Sequence, residues 1–392
     1  MKPRHMVIIN TFFLGLMLFA SAVVIQFMTG RSPASVISLV RQDDKPVRVD
    51  TDRCSEAQPI AKLEQAQSRG LQRLSVFQQA CHSLVANTAM VFVGMPASAS
   101  TVEKQAKETA TLLKEYHTYV IRPLVIVEPT DYVTNENLDF AAYSQGAYQP
   151  FLESYFTALK AQGVESAMLG IVNPFPEANL PYWKNNEPEY FAPSVNRYIS
   201  TLRKYYPQAT TSIMLNSATY ETTDFDWANG DYSSWMPYIK QLTPKSIDYV
   251  GMQGFPWASP KGGNGLIINA AEYLNPEILA EAADYLGIKQ VWYNTGSFGT
   301  KYALDEEKTI HLQPSQRKAI MATVSEQVGI LQQKGYLVSV NIFAEDKSKT
   351  PEETDWSYWQ GNDPFSSPAA PVVTDFIRDM RARKAVVWLF DK

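Results

Sequence analysis

The polar residues that could do chemistry in this chain collect behind short apolar runs. Glu128 and Asp131 follow LVIV, Asn173 and Glu177 follow LGIV, and Asn216 and Glu221 follow SIML. Gln253 and Trp257 follow YVGM, Tyr293, Asn294 and Ser297 follow QVW, and Asn341, Glu345 and Asp346 follow LVSV. All four histidines (His5, His82, His117 and His311) lie elsewhere, which disfavours a Ser-His-Asp triad or a His-based metal centre. No metal and no cofactor is expected. Acids, amides and aromatics in this mixture suit sugar chemistry. One carboxylic acid protonates the leaving oxygen of a glycosidic bond, and a second carboxylate attacks or activates water. Amides bond sugar hydroxyls, and aromatic faces stack on sugar rings.

The stretch NPFPEANLPYW, residues 173–183, places a single acid among prolines and aromatics. Glu177 there is placed as a general acid, with Tyr182 and Trp183 able to wall it and raise its pKa. The plainer reading is an ordinary loop acid. Glu345 and Glu128 are the candidate partner carboxylates. The candidate sugar contacts are Asn173, Trp183, Asn216, Gln253, Trp257, Tyr293, Asn294 and Trp356, the last from the aromatic loop stretch DWSYWQ.

An alternation of strands and helices must position these residues. The runs MVFVGMP, PLVIVEPTD, AMLGIVNP, TSIMLNS, IDYVGMQGFPW, QVWYNTGSF and YLVSVNIFAED predict seven strands. Helical patterns separate them, with a stop at Gly163 and another before Pro207. An earlier helix is expected over 60–86. Continuous β-branched runs point to parallel strands covered on both faces. This many βα units favours a (β/α)8 TIM barrel over an open doubly wound sheet, and no G-x-G-x-x-G or G-x-x-x-x-G-K-[ST] supports a nucleotide site. The unaccounted strand lies near residues 46–50 or is the C-terminal VVWLF.

Ala167 to Trp257, with KQVWYNTGSF beyond it, resembles the retaining (β/α)8 glycosidases, the clan that includes β-mannanases and cellulases. The resembling pieces are IVNPFPEANLPYW, VNRYISTLRKYYPQATTSIMLNS with its Pro207-Gln208-Ala209 turn, and SIDYVGMQGFPW with Asp248 to Gly251. The resemblance implies a glycoside hydrolase fold, with an acid/base Glu at the end of the fourth strand and a nucleophile at the end of the seventh. In that register the strand at MVFVGMP is the barrel's second and the missing strand its first. Two departures stand out. Asn173 and Glu177 are separated by Pro-Phe-Pro rather than adjacent, and the nucleophile-like position, in Asn294-Thr295-Gly296, is an amide that cannot form a glycosyl ester.

The remaining features bear on location and class. Met6–Met28 is uncharged, long enough to span a bilayer, and preceded by Lys2 and Arg4. It predicts a transmembrane signal-anchor (1–28) with the bulk extracytoplasmic, or a signal peptide cleaved near Ala20-Ser21-Ala22. A linker (29–53) and the barrel (54–392) follow. Cys54 and Cys81 form a disulfide if the chain is exported, and are free thiols if it is not. A net charge of −5 argues against nucleic acid as a partner. Two functions are therefore expected: a membrane-anchored hydrolase acting on a polysaccharide or oligosaccharide, or a catalytically silent barrel that binds glycan or serves as an envelope scaffold.

Overall fold

Each apolar run is a strand because both of its faces are covered. In a computed structural model, eight strands carry the barrel: β1 (Val85–Val93), β2 (Arg122–Val127), β3 (Ile171–Pro174), β4 (Thr210–Asn216), β5 (Tyr249–Gln253), β6 (Gln290–Thr295), β7 (Leu337–Ile342) and β8 (Val386–Phe390). They pair in parallel in chain order, and β8 closes the ring between β7 and β1. The structure describes residues 85–390 apart from 119–121, 181–182, 218–219, 222–223, 226–234, 255–257, 262–264, 269–273, 296–300, 304–308, 312 and 343–369. The expected barrel is therefore present, but its eighth strand is VVWLF. The MVFV strand is first rather than second, so the NPFPE loop follows the third strand and Asn294 ends the sixth. Val85 and Ala86, expected at the end of a helix, belong to β1, where pairing with β8 takes precedence over the helical pattern. The expected anchor, linker and cysteines lie outside the described residues. Among the described residues no helix is long and apolar enough to cross a membrane.

Among the described residues, besides the short helices Phe140–Ser144 and Ser166–Leu169, the helices between the strands are α1 (Ala99–Thr118), α2 (Gln149–Ala161), α3 (Pro188–Tyr205), α4 (Trp235–Ile239), α5 (Pro276–Leu286), α6 (Pro314–Gln333) and α7 (Ala370–Ala382). Their ends follow local chemistry. The Asn275 side chain accepts from the backbone N–H groups of Glu277 and Ile278, Pro276 opens α5, and Gly287 closes it in left-handed backbone. Alternate strand residues face opposite ways. Val125, Val127, Val172, Ile213, Leu215, Val250, Met252, Val291 and Val340 pack beneath the helices. Met90, Leu124, Ile126, Ile171, Met214 and Trp292 form a separate cluster, the barrel interior.

Trp292 dominates that interior. Its indole crosses Gly251 on the neighbouring strand and donates to Ser212 Oγ at 2.8 Å. A Cβ at Gly251 would sit 2.2 Å from indole Cε2, so only glycine fits. Among the described residues, four two-stranded ribbons (Thr130–Asp131 with Glu136–Asn137, Tyr220–Glu221 with Asp224–Phe225, Ala258–Lys261 with Gly265–Ile268, and Lys301–Ala303 with Thr309–His311) all follow the C-terminal ends of barrel strands. That is the end at which a (β/α)8 barrel builds its site.

Gly251→Ala is expected to destabilise the barrel by about 1–3 kcal/mol through overpacking against Trp292. Urea unfolding checks this, and an unchanged midpoint would show that the indole can move aside.

Candidate active site at the strand ends

The Glu177 loop leaves β3 through backbone that most side chains avoid. Phe175 and Glu177 have φ of 54° and 52°. Phe175 precedes Pro176, whose ring disfavours ordinary helical backbone at that position. Three backbone bonds hold the turn: Phe175 N–H to Val127 O at 3.0 Å, Glu177 N–H to Met214 O at 2.9 Å, and Leu180 N–H to Glu177 O at 2.9 Å. The Phe175 ring anchors it from outside, packed on Phe140 at 4.9 Å and edge-on to Tyr143 at 5.0 Å. Asn179 fastens it to β4 reciprocally: its Nδ2 donates to Asn216 O, and its Oδ1 accepts from Asn216 N–H, both at 2.8 Å.

These anchors aim the Glu177 side chain over the strand ends. Its Oε1 accepts from both Asn216 Nδ2 and Gln253 Nε2. Gln253 Oε1 accepts from Asn294 Nδ2 at 2.6 Å, and Asn294 Oδ1 from Asn341 Nδ2 at 2.7 Å. The strand register makes this chain possible, because Asn216 pairs with Gln253, Gln253 with Asn294, and Asn294 with Asn341. Four consecutive strands, β4 to β7, thus present amides at one level, with the carboxylate at one end.

Glu177 is half-buried, and its pKa is pushed up to about 7. Burial is the largest cause. The Asn216 hydrogen bond opposes it, the negative charge of Glu128 adds to it, and the Gln253 bond opposes it again. Glu128, at the end of β2, is thus electrostatically coupled to Glu177. Its Oε2 accepts from the Tyr132 hydroxyl. Burial, and then the Glu128 charge, raise the pKa of that phenol, so it remains a donor. Asp131 supports this side of the mouth. It is fully buried and accepts from Ala97 N–H at 2.8 Å, Thr101 Oγ1 at 2.6 Å, Gln105 Nε2 at 2.5 Å and Val133 N–H at 2.9 Å. Burial alone would raise its pKa, but the hydrogen bonds outweigh it and hold the group ionised. It ties the start of α1 to the ribbon that follows Glu128.

Among the sequence-derived candidates, Glu177, Glu128, Asn216, Gln253 and Asn294 meet at one end of the barrel. Trp183 does not offer a face there: it is 9% exposed, belongs to the core around α3, and its Nε1 donates to Pro176 O at 2.9 Å. Tyr293 points away from the mouth into the layer beneath the helices, with its hydroxyl 3.4 Å from Leu274 O. Asn173 is fully buried at the level of Ile126, below the Glu177 turn, and neither of its amide atoms has a hydrogen-bond partner among the described residues. Glu345, Trp257 and Trp356 lie outside the described residues. The sequence places Asn341 at a strand end but not among the candidate sugar contacts, and it does not single out Asn179. The signal for Asn341 was its place at a strand end level with Asn294. No group of three or more His, Cys, Asp or Glu among the described residues could hold a metal ion.

No family model matches the chain, and no curated protein matches its sequence. Solved structures do match its shape. A fungal β-1,4-galactanase is 12% identical with a TM-score of 0.49, over 74% of this chain and 87% of that one. A β-glycosidase is 11% identical with a TM-score of 0.49, over 76% and 83%. A β-glucosidase from Thermotoga maritima, in complex with deoxynojirimycin, is 10% identical with a TM-score of 0.48, over 74% and 83%.

The raised Glu177 pKa sets the sign of a pH effect on stability. Above about pH 7 the carboxyl is ionised in both the folded and unfolded chain, and the folded state carries the cost of a desolvated charge. Between the ordinary Glu value and about 7 the folded state holds the extra proton, so stability falls as pH rises through this window. The expected loss is on the order of 1–3 kcal/mol. Glu177→Gln should flatten that part of the curve in urea titrations at a series of pH values. An identical slope in the variant would assign the effect elsewhere.

Proposed function

We propose that this barrel is a glycoside hydrolase-like protein that cleaves O-glycosidic bonds in a polysaccharide or oligosaccharide, with Glu177 as general acid. The observation that carries the reading is a carboxyl at the strand ends whose Oε1 is held by Asn216 and Gln253, with burial and the charge of a second carboxylate, Glu128, raising its pKa. Protonated Glu177 gives its proton to the leaving oxygen as the glycosidic C–O bond breaks. Glu128 takes a proton from the water that attacks the anomeric carbon, or attacks that carbon itself. Glu345 is the other candidate for this second role. Inversion calls for roughly 6.5–9.5 Å between the two carboxyl groups and retention for about 5–5.5 Å, so the anomer released identifies the route. Asn216, Gln253 and Asn294 are proposed to contact sugar, with Trp257 and Trp356 as stacking surfaces. In the same reading Met6–Met28 anchors the barrel outside the cytoplasm, and Cys54 pairs with Cys81.

A second reading, a barrel that binds glycan without cutting it, is favoured by one observation. Asn294, which ends β6 rather than the seventh strand, is an amide bonded on both sides to other amides.

The test is hydrolysis of a panel of soluble polysaccharides by the full chain in detergent, beside Glu177→Gln and Glu128→Gln. Cleavage is expected, falling at least 100-fold in Glu177→Gln and declining in the wild type above about pH 7 as the acid ionises. No cleavage, with retention on an affinity gel of the same glycans, would select the binding reading.

A further inference from the structure

We infer that Asn294 is a positioning residue that, through Gln253, fixes which oxygen of Glu177 carries the exchangeable proton. The inference rests on Glu177 being the proton-carrying group proposed above, but its test needs no turnover. The amide chain has a polarity that the carboxylate imposes. A carboxylate oxygen paired in this way can only accept, so Gln253 must turn its NH2 toward Glu177 Oε1. That leaves Gln253 Oε1 facing Asn294, so Asn294 must present its NH2 there, at 2.6 Å. Asn294 Oδ1 then faces β7, and Asn341 presents its NH2 to it at 2.7 Å. At the far end, Asn341 Oδ1 is buried and accepts from no donor among the described residues. Every N–H in the row points toward Glu177, so no link can reverse without turning the next one.

This polarity has a chemical consequence. Oε1 receives two N–H donors, from Asn216 and Gln253, and a proton placed on it would have to displace one of them. The proton therefore resides on Oε2. Hydrogen-bonded chains strengthen link by link, so the Gln253 donor is a better donor because Asn294 donates to its carbonyl. Among the described residues, the titratable group that acts on Glu177 is Glu128, itself held by Tyr132, on the β2 side. The β4 to β7 side offers the row of neutral amides.

The substitution that reverses the row is Asn294→Asp. An aspartate can only accept, so Gln253 turns its NH2 to residue 294 and its carbonyl to Glu177. Two acceptors then face each other unless Glu177 is protonated on Oε1. A new charge also acts directly through space, and a double-mutant cycle separates the two effects. The full chain in detergent, labelled with carboxyl-13C glutamate, is titrated by infrared spectroscopy, with Glu177→Gln identifying the band. Asn294→Asp is expected to raise the Glu177 midpoint by about one pH unit or more. The same change in a Gln253→Leu background should raise it by less than half as much. Asn294→Ala, a neutral break in the row, should raise it by a smaller step, about half a unit, and serves if the aspartate variant does not fold. Equal shifts with and without Gln253 would leave only the through-space charge and overturn the inference, as would an unmoved midpoint in Asn294→Ala. If no glycan is cleaved by the wild type while the titration behaves as expected, the hydrolase reading fails and the positioning role stands.

Discussion

Seven parallel strands joined by helices still have two open edges, and the pairing of β8 with both β7 and β1 removes them. Without that strand the interior side chains Met90, Leu124, Ile126, Ile171, Met214 and Trp292 lose their enclosure. At about 1.5–3 kcal/mol for each large apolar side chain returned to water, the loss is on the order of the whole stability of a domain. Closure also defines the mouth. The ends of β2 and β3 bring Glu128 and Glu177 into electrostatic contact, and the ends of β4 to β7 supply the amide row. The last strand in the chain therefore underwrites a site to which it contributes no identified residue.

Much of this was legible because strands and helices obey local rules. Apolar runs marked β1 to β7, and Gly163 and Pro207 marked helix ends, because their chemistry depends on nearest neighbours. The eighth strand was ambiguous because VVWLF, at the end of the chain, looks the same whether or not it finds a partner. The ribbons between strands were missed for a similar reason: short pairs such as Thr130–Asp131 with Glu136–Asn137 carry little apolar pattern. Tyr293 and Asn294 are neighbours on one strand, and strand period does not let both side chains reach the mouth. Adjacent residues face opposite sides, so once Asn294 turns inward Tyr293 must face the helices. Trp183, beside Tyr182 and close to Glu177 in the sequence, is expected as a wall beside that acid and a sugar contact. Its indole N–H instead satisfies the Pro176 carbonyl, which helps hold the Glu177 turn.

The turn itself shows how local cost and tertiary gain balance. Two non-glycine residues in left-handed backbone cost about 1–2 kcal/mol each. Against this stand a fully buried Phe175 ring, three backbone hydrogen bonds and the reciprocal Asn179–Asn216 pair. These contacts come from β2, β4 and the aromatic layer at once. A strained conformation that several elements over-determine persists, and it is found where a side chain must be held in one direction.

The amide at position 294 can then be read from charge rather than from loss. Glu177 already carries the penalty of burial and the repulsion of Glu128, and two N–H donors offset part of it. A carboxylate at 294 would add a third negative charge to the same mouth and remove the donor that orients Gln253. Both changes favour protonated Glu177 and move its titration away from neutrality. An amide donates to one neighbour and accepts from the next, which a carboxylate cannot do. At the strand end at 294 an asparagine links Gln253 to Asn341 with no added charge beside Glu177 and Glu128.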